Sequence, residues 1–297
     1  MQLTTQDKLA ILRANPHAIA VYQTPTQPTP TITVLVTTAL TAHAARLPPH
    51  IPANLVTFRL SSQLTDLRLP QSQASTTCFN EPIPGGVQLQ PAGQNSVGTL
   101  GAPCGFRDRD GNRRWGILSN WHVMCRKSCQ VGDQQHQPID AFPAIARLSD
   151  WSAVDPAAEN TMDAAVADAM IAKFHTIDTQ IRLIGPLADC IVEPQIDDQV
   201  CKVGRTTDKT CAVCTAVDAC VRVGYGDFTA AFCEQAIFEP TNGPFSAPGD
   251  SGSLIVNTAR NCATALLFAG NDQLTVGSPM PAIANRFSLT FNFQEKP

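Results

Sequence analysis

Residues 248–256 read Pro-Gly-Asp-Ser-Gly-Ser-Leu-Ile-Val, a glycine-rich turn that leads directly into an apolar run. Glycines on both sides of Asp250 and Ser251 allow a tight turn that exposes the serine hydroxyl and aims backbone N–H groups at a developing negative charge. The N–H groups of Gly249 and Ser251 are the predicted donors of this oxyanion hole. An ordinary hairpin turn of Gly, Asp and Ser is equally compatible with the stretch taken alone.

A serine hydroxyl needs a base within hydrogen-bond reach before it becomes a good nucleophile. His122 follows the apolar pattern WGILSN, and the histidine pKa suits a general base. Asp163 opens the apolar run DAAVA, where a carboxylate requires a partner such as an imidazole N–H. Taken singly, His122 is also compatible with a packed core histidine, and Asp163 with the N-cap of a helix.

Short β-like runs separated by Gly, Asn and Asp follow from residue 86 onward. They include WGILSNWHV, MDAAVADAM, SGSLIVN, ATALLFAG and RFSLTFNF, and in the last run a strand would place Phe287, Leu289, Phe291 and Phe293 on one face. This spacing indicates an all-β sandwich or barrel. The order His122, Asp163, Ser251 is that of one of the three known triad arrangements, the one found on β-barrels.

Together these stretches resemble the trypsin/chymotrypsin-like serine proteases, in the bacterial-type Ser-Asn-x-His subgroup that is related to the plant narrow-leaf protein. SNWH, MDAAVA and PFSAPGDSGSLIV are similar to its histidine, aspartate and serine motifs, and CKVGRTTDKT to its Gly-Arg-Thr-Thr strand pair. The resemblance implies an all-β fold of two six-stranded antiparallel barrels, over about 85–180 and 190–297, joined near 176–195. Residues 1–84 would form an N-terminal α/β extension, with a helix over 7–14 and a strand over 31–36.

The resemblance also implies the activity. It predicts a serine endopeptidase that hydrolyses peptide bonds through an acyl-enzyme, with a catalytic triad of His122, Asp163 and Ser251, a polypeptide substrate, and no cofactor or metal. Two alternatives stay open: a catalytically idle binding module of the same fold, and a self-cleaving switch in which residues 1–84 are the substrate.

The predicted substrate pocket departs from that of the better-known members. Its residues by resemblance are Phe245, Phe268, Ala269 and Gly270. Phe245 stands where enzymes of basic specificity carry an aspartate, so a small or medium apolar substrate side chain is expected. Phe268 stands where a serine often supports the triad acid, so Asp163 is expected to lack one hydrogen bond. No Ile-Val-Gly-Gly-like start is present to pair with Asp250, and Arg205 is a speculative substitute.

The chain has 11 cysteines, an odd number, so at least one cannot pair within the chain. The resemblance implies a disulfide between Cys104 and Cys125. Cys211-x-x-Cys214 raises a zinc site as an alternative, whereas the alternation in TCAVCTAVDAC favours a β-hairpin.

The net charge is -4, and Lys and Arg are scattered, so nucleic acid is not an expected partner. Apolar stretches are far shorter than the roughly 20 residues of a membrane helix. The N-terminal residues lack the pattern of a signal peptide, which predicts a cytoplasmic protein, although the cysteine density favours some disulfide pairing. The oligomeric state is not predicted.

Overall fold

The computed structural model describes residues 2–25, 30–38, 46–78, 82–125, 128–170 and 177–291. Strands dominate these residues, and the short helices lie at their edges. The helices are α1 (Thr5–Ala14), α2 (Trp121–Met124) and α3 (Met280–Phe287). Among the described residues, no helix has both the length and the apolar character to cross a bilayer.

The strands fall into an N-terminal group and two larger groups. The N-terminal strands are β1 (Ala18–Thr24), β2 (Thr31–Val36), β3 (Val56–Leu60), β4 (Thr65–Asp66) and β5 (Leu69–Pro70). The next are β6 (Ile83–Gly85), β7 (Gln88–Pro91), β8 (Ser96–Thr99), β9 (Ala102–Arg107), β10 (Arg113–Ser119), β11 (Gln134–His136), β12 (Ala144–Ser152), β13 (Glu159–Asn160), β14 (Ala164–Ala169), β15 (Ile177–Ile181) and β16 (Gly185–Pro186). The last are β17 (Gln199–Gly204), β18 (Asp208–Gly224), β19 (Thr229–Pro240), β20 (Leu254–Asn257), β21 (Cys262–Gly270) and β22 (Thr275–Pro279).

Two large, mainly antiparallel sheets form the fold. The first has the order β5-β8-β7-β11-β12-β14-β10-β9, and the second the order β13-β19-β22-β21-β20-β17-β18-β1-β2-β3. The predicted all-β, two-barrel fold class is therefore confirmed. The N-terminal strands add to both sheets and enlarge them beyond the six strands expected of each barrel.

The N-terminal residues pack on the second sheet. β1 pairs antiparallel with β18, with Val21 opposite Cys220, and β2 and β3 continue the sheet outward. The predicted helix and strand are both present, as α1 and β2. α1 starts with a capping box, in which the Thr4 hydroxyl accepts from the Asp7 N–H at 3.2 Å. The boundary predicted at residue 84 stays a prediction.

Two local predictions are wrong. Arg286 and Phe287, the first residues of the run RFSLTFNF predicted as a final strand, instead end helix α3, in which Met280, Ile283 and Phe287 lie on one buried face with helical spacing; Phe293 lies outside the described residues. The stretch TCAVCTAVDAC is not a hairpin but part of the single strand β18, whose hairpin partner is β19. Asp218 has a φ of +52° and marks an irregularity within this strand.

The cysteine pairing also differs from the prediction. Cys104 is a buried thiol in β9 that packs with the apolar cluster around Phe106, whereas Cys125 packs in a different cluster and is bonded to Cys129. The predicted Cys104–Cys125 disulfide is therefore wrong. The other disulfides of the described residues are Cys190–Cys262, Cys201–Cys211 and Cys220–Cys233. The Cys201–Cys211 bond uses one thiol of the proposed zinc motif, and no group of three potential metal ligands occurs in the described residues.

Candidate active site

Strand pairing brings His122 next to Asp163. β10 and β14 are antiparallel neighbours, with Leu118 opposite Val166, so the residues just after β10 meet the residue just before β14. The Asn120 side-chain amide links these two segments by donating a hydrogen bond to the Asp163 backbone carbonyl at 2.7 Å. Both functional side chains are thereby placed in the interior, with His122 1% exposed and Asp163 0%.

The Asp163 carboxylate fixes the imidazole. Its Oδ2 lies 2.5 Å from His122 Nδ1, and its Oδ1 accepts the His122 backbone N–H at 3.2 Å. A carboxylate at Nδ1 holds the proton there and leaves Nε2 as the basic nitrogen. Nε2 is buried and has no hydrogen-bond partner among the described residues. The geometry therefore leaves His122 Nε2 with a vacant lone pair, as a general base requires.

Tyr225 supplies a further hydrogen bond to the acid. Its hydroxyl donates to Asp163 Oδ2 at 2.7 Å. Burial, reinforced by the negative charge of Asp163, raises the pKa of Tyr225 well above its usual value, so the phenol keeps the proton that it donates. The expectation that Asp163 lacks a hydrogen bond because of Phe268 is wrong: a tyrosine after β18 takes the place of the missing serine.

The serine turn has the backbone that its glycines allow. Gly249 has a φ of +104° and Gly252 a φ of +94°, which other residues rarely adopt. A Cβ on Gly252 would also lie 2.2 Å from both the Thr99 carbonyl and the Ser119 hydroxyl. The turn is therefore pressed against strands β8 and β10 of the first sheet, which brings Ser251 to the junction of the two sheets.

Lys202 holds this turn through a buried ion pair with Asp250. Its ammonium lies 3.0 Å from Asp250 Oδ2, and both side chains are fully buried. Burial lowers the pKa of Lys202, and the Asp250 charge opposes that shift. Asp250 also accepts the Thr206 N–H at 2.9 Å and the Thr207 hydroxyl at 2.7 Å. The suggested pairing of Asp250 with Arg205 is wrong, since the cation that bonds to this carboxylate is Lys202.

The Ser251 hydroxyl does not bond to His122. Its Oγ donates to the Phe268 carbonyl at 3.2 Å and accepts the Leu67 N–H at 3.1 Å. The structure therefore joins His122 and Asp163 directly, and it turns the buried Ser251 Oγ toward Leu67 and β21.

One of the two predicted oxyanion-hole donors, the Gly249 N–H, already forms a hydrogen bond within the chain. The Gly249 N–H donates to the Leu67 carbonyl at 2.6 Å. Leu67 lies between β4 and β5, in the N-terminal part of the chain. The assignment of the Ser251 N–H as the second donor stays a prediction.

Two of the four predicted pocket residues, Phe245 and Gly270, lie near the Leu67 side chain. Leu67 is 4% exposed and packs in an apolar cluster with Phe245. A Cβ on Gly270 would lie 3.3 Å from Leu67 Cδ1, so the absence of a side chain there makes room for the leucine. Ala269 pairs with Asp66 in the adjoining strand. The Phe268 side chain instead packs against Phe232, with ring centroids 4.8 Å apart, and only its carbonyl meets Ser251.

Three residues of this site were missed from the sequence: Leu67, Tyr225 and Lys202. Lys202 carried a signal, because a lysine inside the apolar strand VCKVG requires a buried partner. Tyr225 and Leu67 carried none, since each reaches the site through pairing with residues distant in sequence.

Comparison with solved structures finds bacterial proteases of this architecture. Alpha-lytic protease homolog N4 superposes with a TM-score of 0.50 at 17% identity, covering 71% of this chain and 99% of that chain. The chain has the chymotrypsin fold. Cellulomonas bogoriensis chymotrypsin (TM-score 0.49, 19% identity) and Thermobifida fusca protease A (TM-score 0.49, 16% identity) each match over 70% of this chain and 97% of theirs.

These identities are low, so the likeness establishes the fold alone. No protein-family model matches the sequence, and no curated protein matches it significantly. The function must therefore be argued from the site.

Proposed function

We propose that this protein is a serine endopeptidase whose triad is His122, Asp163 and Ser251. The observation that carries the proposal is the backbone at Leu67: its carbonyl, in the Leu67–Arg68 peptide bond, accepts the Gly249 N–H at 2.6 Å, and its N–H, in the preceding peptide bond, donates to Ser251 Oγ at 3.1 Å. A peptide carbonyl that accepts a backbone N–H of the serine turn, in a chain that also contacts the serine hydroxyl, is the kind of arrangement that acyl transfer uses.

The chemistry proceeds in two stages. The Ser251 hydroxyl rotates toward His122, whose Nε2 removes its proton as Oγ attacks the carbonyl carbon of a polypeptide substrate. The N–H groups of Gly249 and Ser251 hold the oxyanion, and His122 then gives the proton to the leaving amine. Water, deprotonated by the same nitrogen, hydrolyses the acyl-enzyme. Asp163 keeps the imidazole oriented and stabilises its positive charge throughout.

A second candidate, an idle binding module, is favoured by one observation. The Ser251 hydroxyl donates to the Phe268 carbonyl rather than to His122. In such a protein the cleft would hold a peptide without attacking it.

Fluorophosphonate labelling separates the two functions. The probe is applied to the wild type and to Leu67→Asp, in which a charge in the apolar pocket weakens the hold of residue 67 on the cleft. We expect one adduct, mapped to Ser251 by peptide mass analysis and lost in His122→Ala and Ser251→Ala. Folded protein without an adduct in either background contradicts the proposed function and supports the binding module.

A further inference from the structure

Residues 64–70, named the cleft segment, run through the candidate active site from one sheet to the other. We propose that the cleft segment is an intramolecular, substrate-like inhibitor that remains uncut, with Leu67 in the position of the substrate residue before the scissile bond. The inference rests on the proposed function, and it names both the regulation of the site and the side chain that the site prefers.

The backbone of the cleft segment pairs as an added strand on both sides of Ser251. On one side β4 is antiparallel to β21, with Thr65 opposite Gly270 and Asp66 opposite Ala269. On the other side β5 is antiparallel to β8, with Leu69 opposite Val97. Strand addition of this kind is a general way of binding an extended peptide, because main-chain hydrogen bonds supply affinity whatever the sequence.

Leu67 and Arg68 lie between the two pairings, and the Leu67 backbone contacts both Ser251 and the serine turn. The Leu67 carbonyl accepts the Gly249 N–H, and the Leu67 side chain fills the pocket beside Phe245 and Gly270. A leucine in this pocket identifies the preferred substrate as one with a medium-sized apolar side chain before the scissile bond. Any other peptide must displace the cleft segment before it can reach Ser251.

The contacts of the next residue explain why the Leu67–Arg68 bond stays intact. The Arg68 guanidinium forms an ion pair with Asp66 and also donates to the Tyr225 carbonyl at 3.3 Å. β5 holds the chain that follows. An amine released from Leu67 would be retained beside the acyl-enzyme, where re-formation of the peptide bond competes with hydrolysis. The Ser251 hydroxyl, turned to Phe268, is also out of line for proton transfer to His122.

The test compares labelling rates of Ser251 by a fluorophosphonate in full-length chains. Loss of the buried leucine contact in Leu67→Asp is expected to raise the rate at least about tenfold over the wild type. Leu67→Met, which keeps a medium apolar side chain, should label as slowly as the wild type. Leu183→Asp is the matched control, because it makes the same substitution at a leucine that is 57% exposed.

A second variant, Arg68→Ala, keeps the inference testable if Leu67→Asp does not fold. Arg68→Ala removes the ion pair to Asp66 at a position where 14% of the side chain is exposed, and it changes no residue of the apolar clusters. It should label faster than the wild type, by a smaller factor than Leu67→Asp. Circular dichroism confirms folding in each case.

Three results overturn the inference, and they are distinguishable. Equal labelling rates in the wild type, Leu67→Asp and Arg68→Ala exclude inhibition while leaving the proposed function intact. A wild-type chain cut after Leu67 on storage, and intact as Ser251→Ala, replaces the uncut inhibitor with a self-cleaving switch. No labelling of any folded variant removes the proposed function and the inference together.

Discussion

The substitution Lys202→Met tests whether a buried ion pair holds the serine turn. Lys202 and Asp250 lie 3.0 Å apart with no exposed side-chain surface, so removal of the ammonium leaves a buried carboxylate without its counter-charge. Breaking such a pair costs roughly 3–5 kcal/mol. Because the Thr206 N–H, the Thr207 hydroxyl and the Ala247 N–H still donate to Asp250, we expect the lower end, about 3 kcal/mol.

The assay is chemical denaturation followed by tryptophan fluorescence, with labelling of Ser251 in parallel. Lys209→Met is the matched control, since Lys209 is a neighbouring lysine whose ammonium donates to an exposed-loop carbonyl, that of Leu183, at 3.2 Å. Lys202→Met/Asp250→Asn should recover part of the lost stability, because it also removes the uncompensated charge. A loss in Lys202→Met no larger than that in Lys209→Met refutes the reasoning.

Three further outcomes follow from named contacts. Tyr225→Phe removes one of the donors to the Asp163 carboxylate, which is worth roughly 1.5–3 kcal/mol, and should both lower the melting temperature and slow Ser251 labelling of the folded protein; an unchanged rate contradicts the role given to the phenol. Gly252→Ala should abolish labelling and lower the free energy of unfolding, because its Cβ would lie 2.2 Å from the Thr99 carbonyl; wild-type behaviour in both measurements argues against the turn geometry. Burial raises the pKa of Asp150, but the hydrogen bonds from Arg286 and Arg109 outweigh burial, and the net result is a lowered pKa. The ionised Asp150 carboxylate therefore stabilises the fold above the pKa of Asp150 in the unfolded chain, and this stabilisation is lost as the pH falls through the pKa of Asp150 in the folded protein. Asp150→Asn should therefore reduce the drop in melting temperature that the protein shows as the pH is lowered. A variant whose melting temperature changes with pH in the same way as that of the wild type contradicts this role of Asp150.

The fold class and the His122–Asp163 contact could be predicted because their signals are local. Short, nearly continuous apolar runs identify strands such as β14 and β20, and the glycines around Ser251 identify a tight turn. The order of the motifs along the chain then restricts the topology. That Ser251 acts as a nucleophile stays a prediction, since its hydroxyl does not meet His122 in this structure.

The remaining features depend on tertiary structure that no single stretch encodes. Alternation in β18 could not distinguish one long strand from a hairpin, because the turn lies beyond Gly224. Residues 60–70 carry no pattern that separates a surface loop from a peptide bound in the cleft. Phe287 fits the spacing of a strand face as well as that of helix α3.

The cellular compartment likewise stays a prediction. A cytoplasmic location was predicted from the N-terminal residues, whereas the four disulfides of the described residues are more typical of an oxidising environment.

The most direct test of the central claim is peptide hydrolysis by the chain with its cleft opened. Leu67→Asp is incubated with a library of unstructured peptides, and the products are identified by mass spectrometry beside Leu67→Asp/Ser251→Ala. The account predicts cleavage after leucine and side chains of similar size, and none by the double variant. Folded Leu67→Asp that cleaves no peptide, or that cleaves equally well without Ser251, would contradict it.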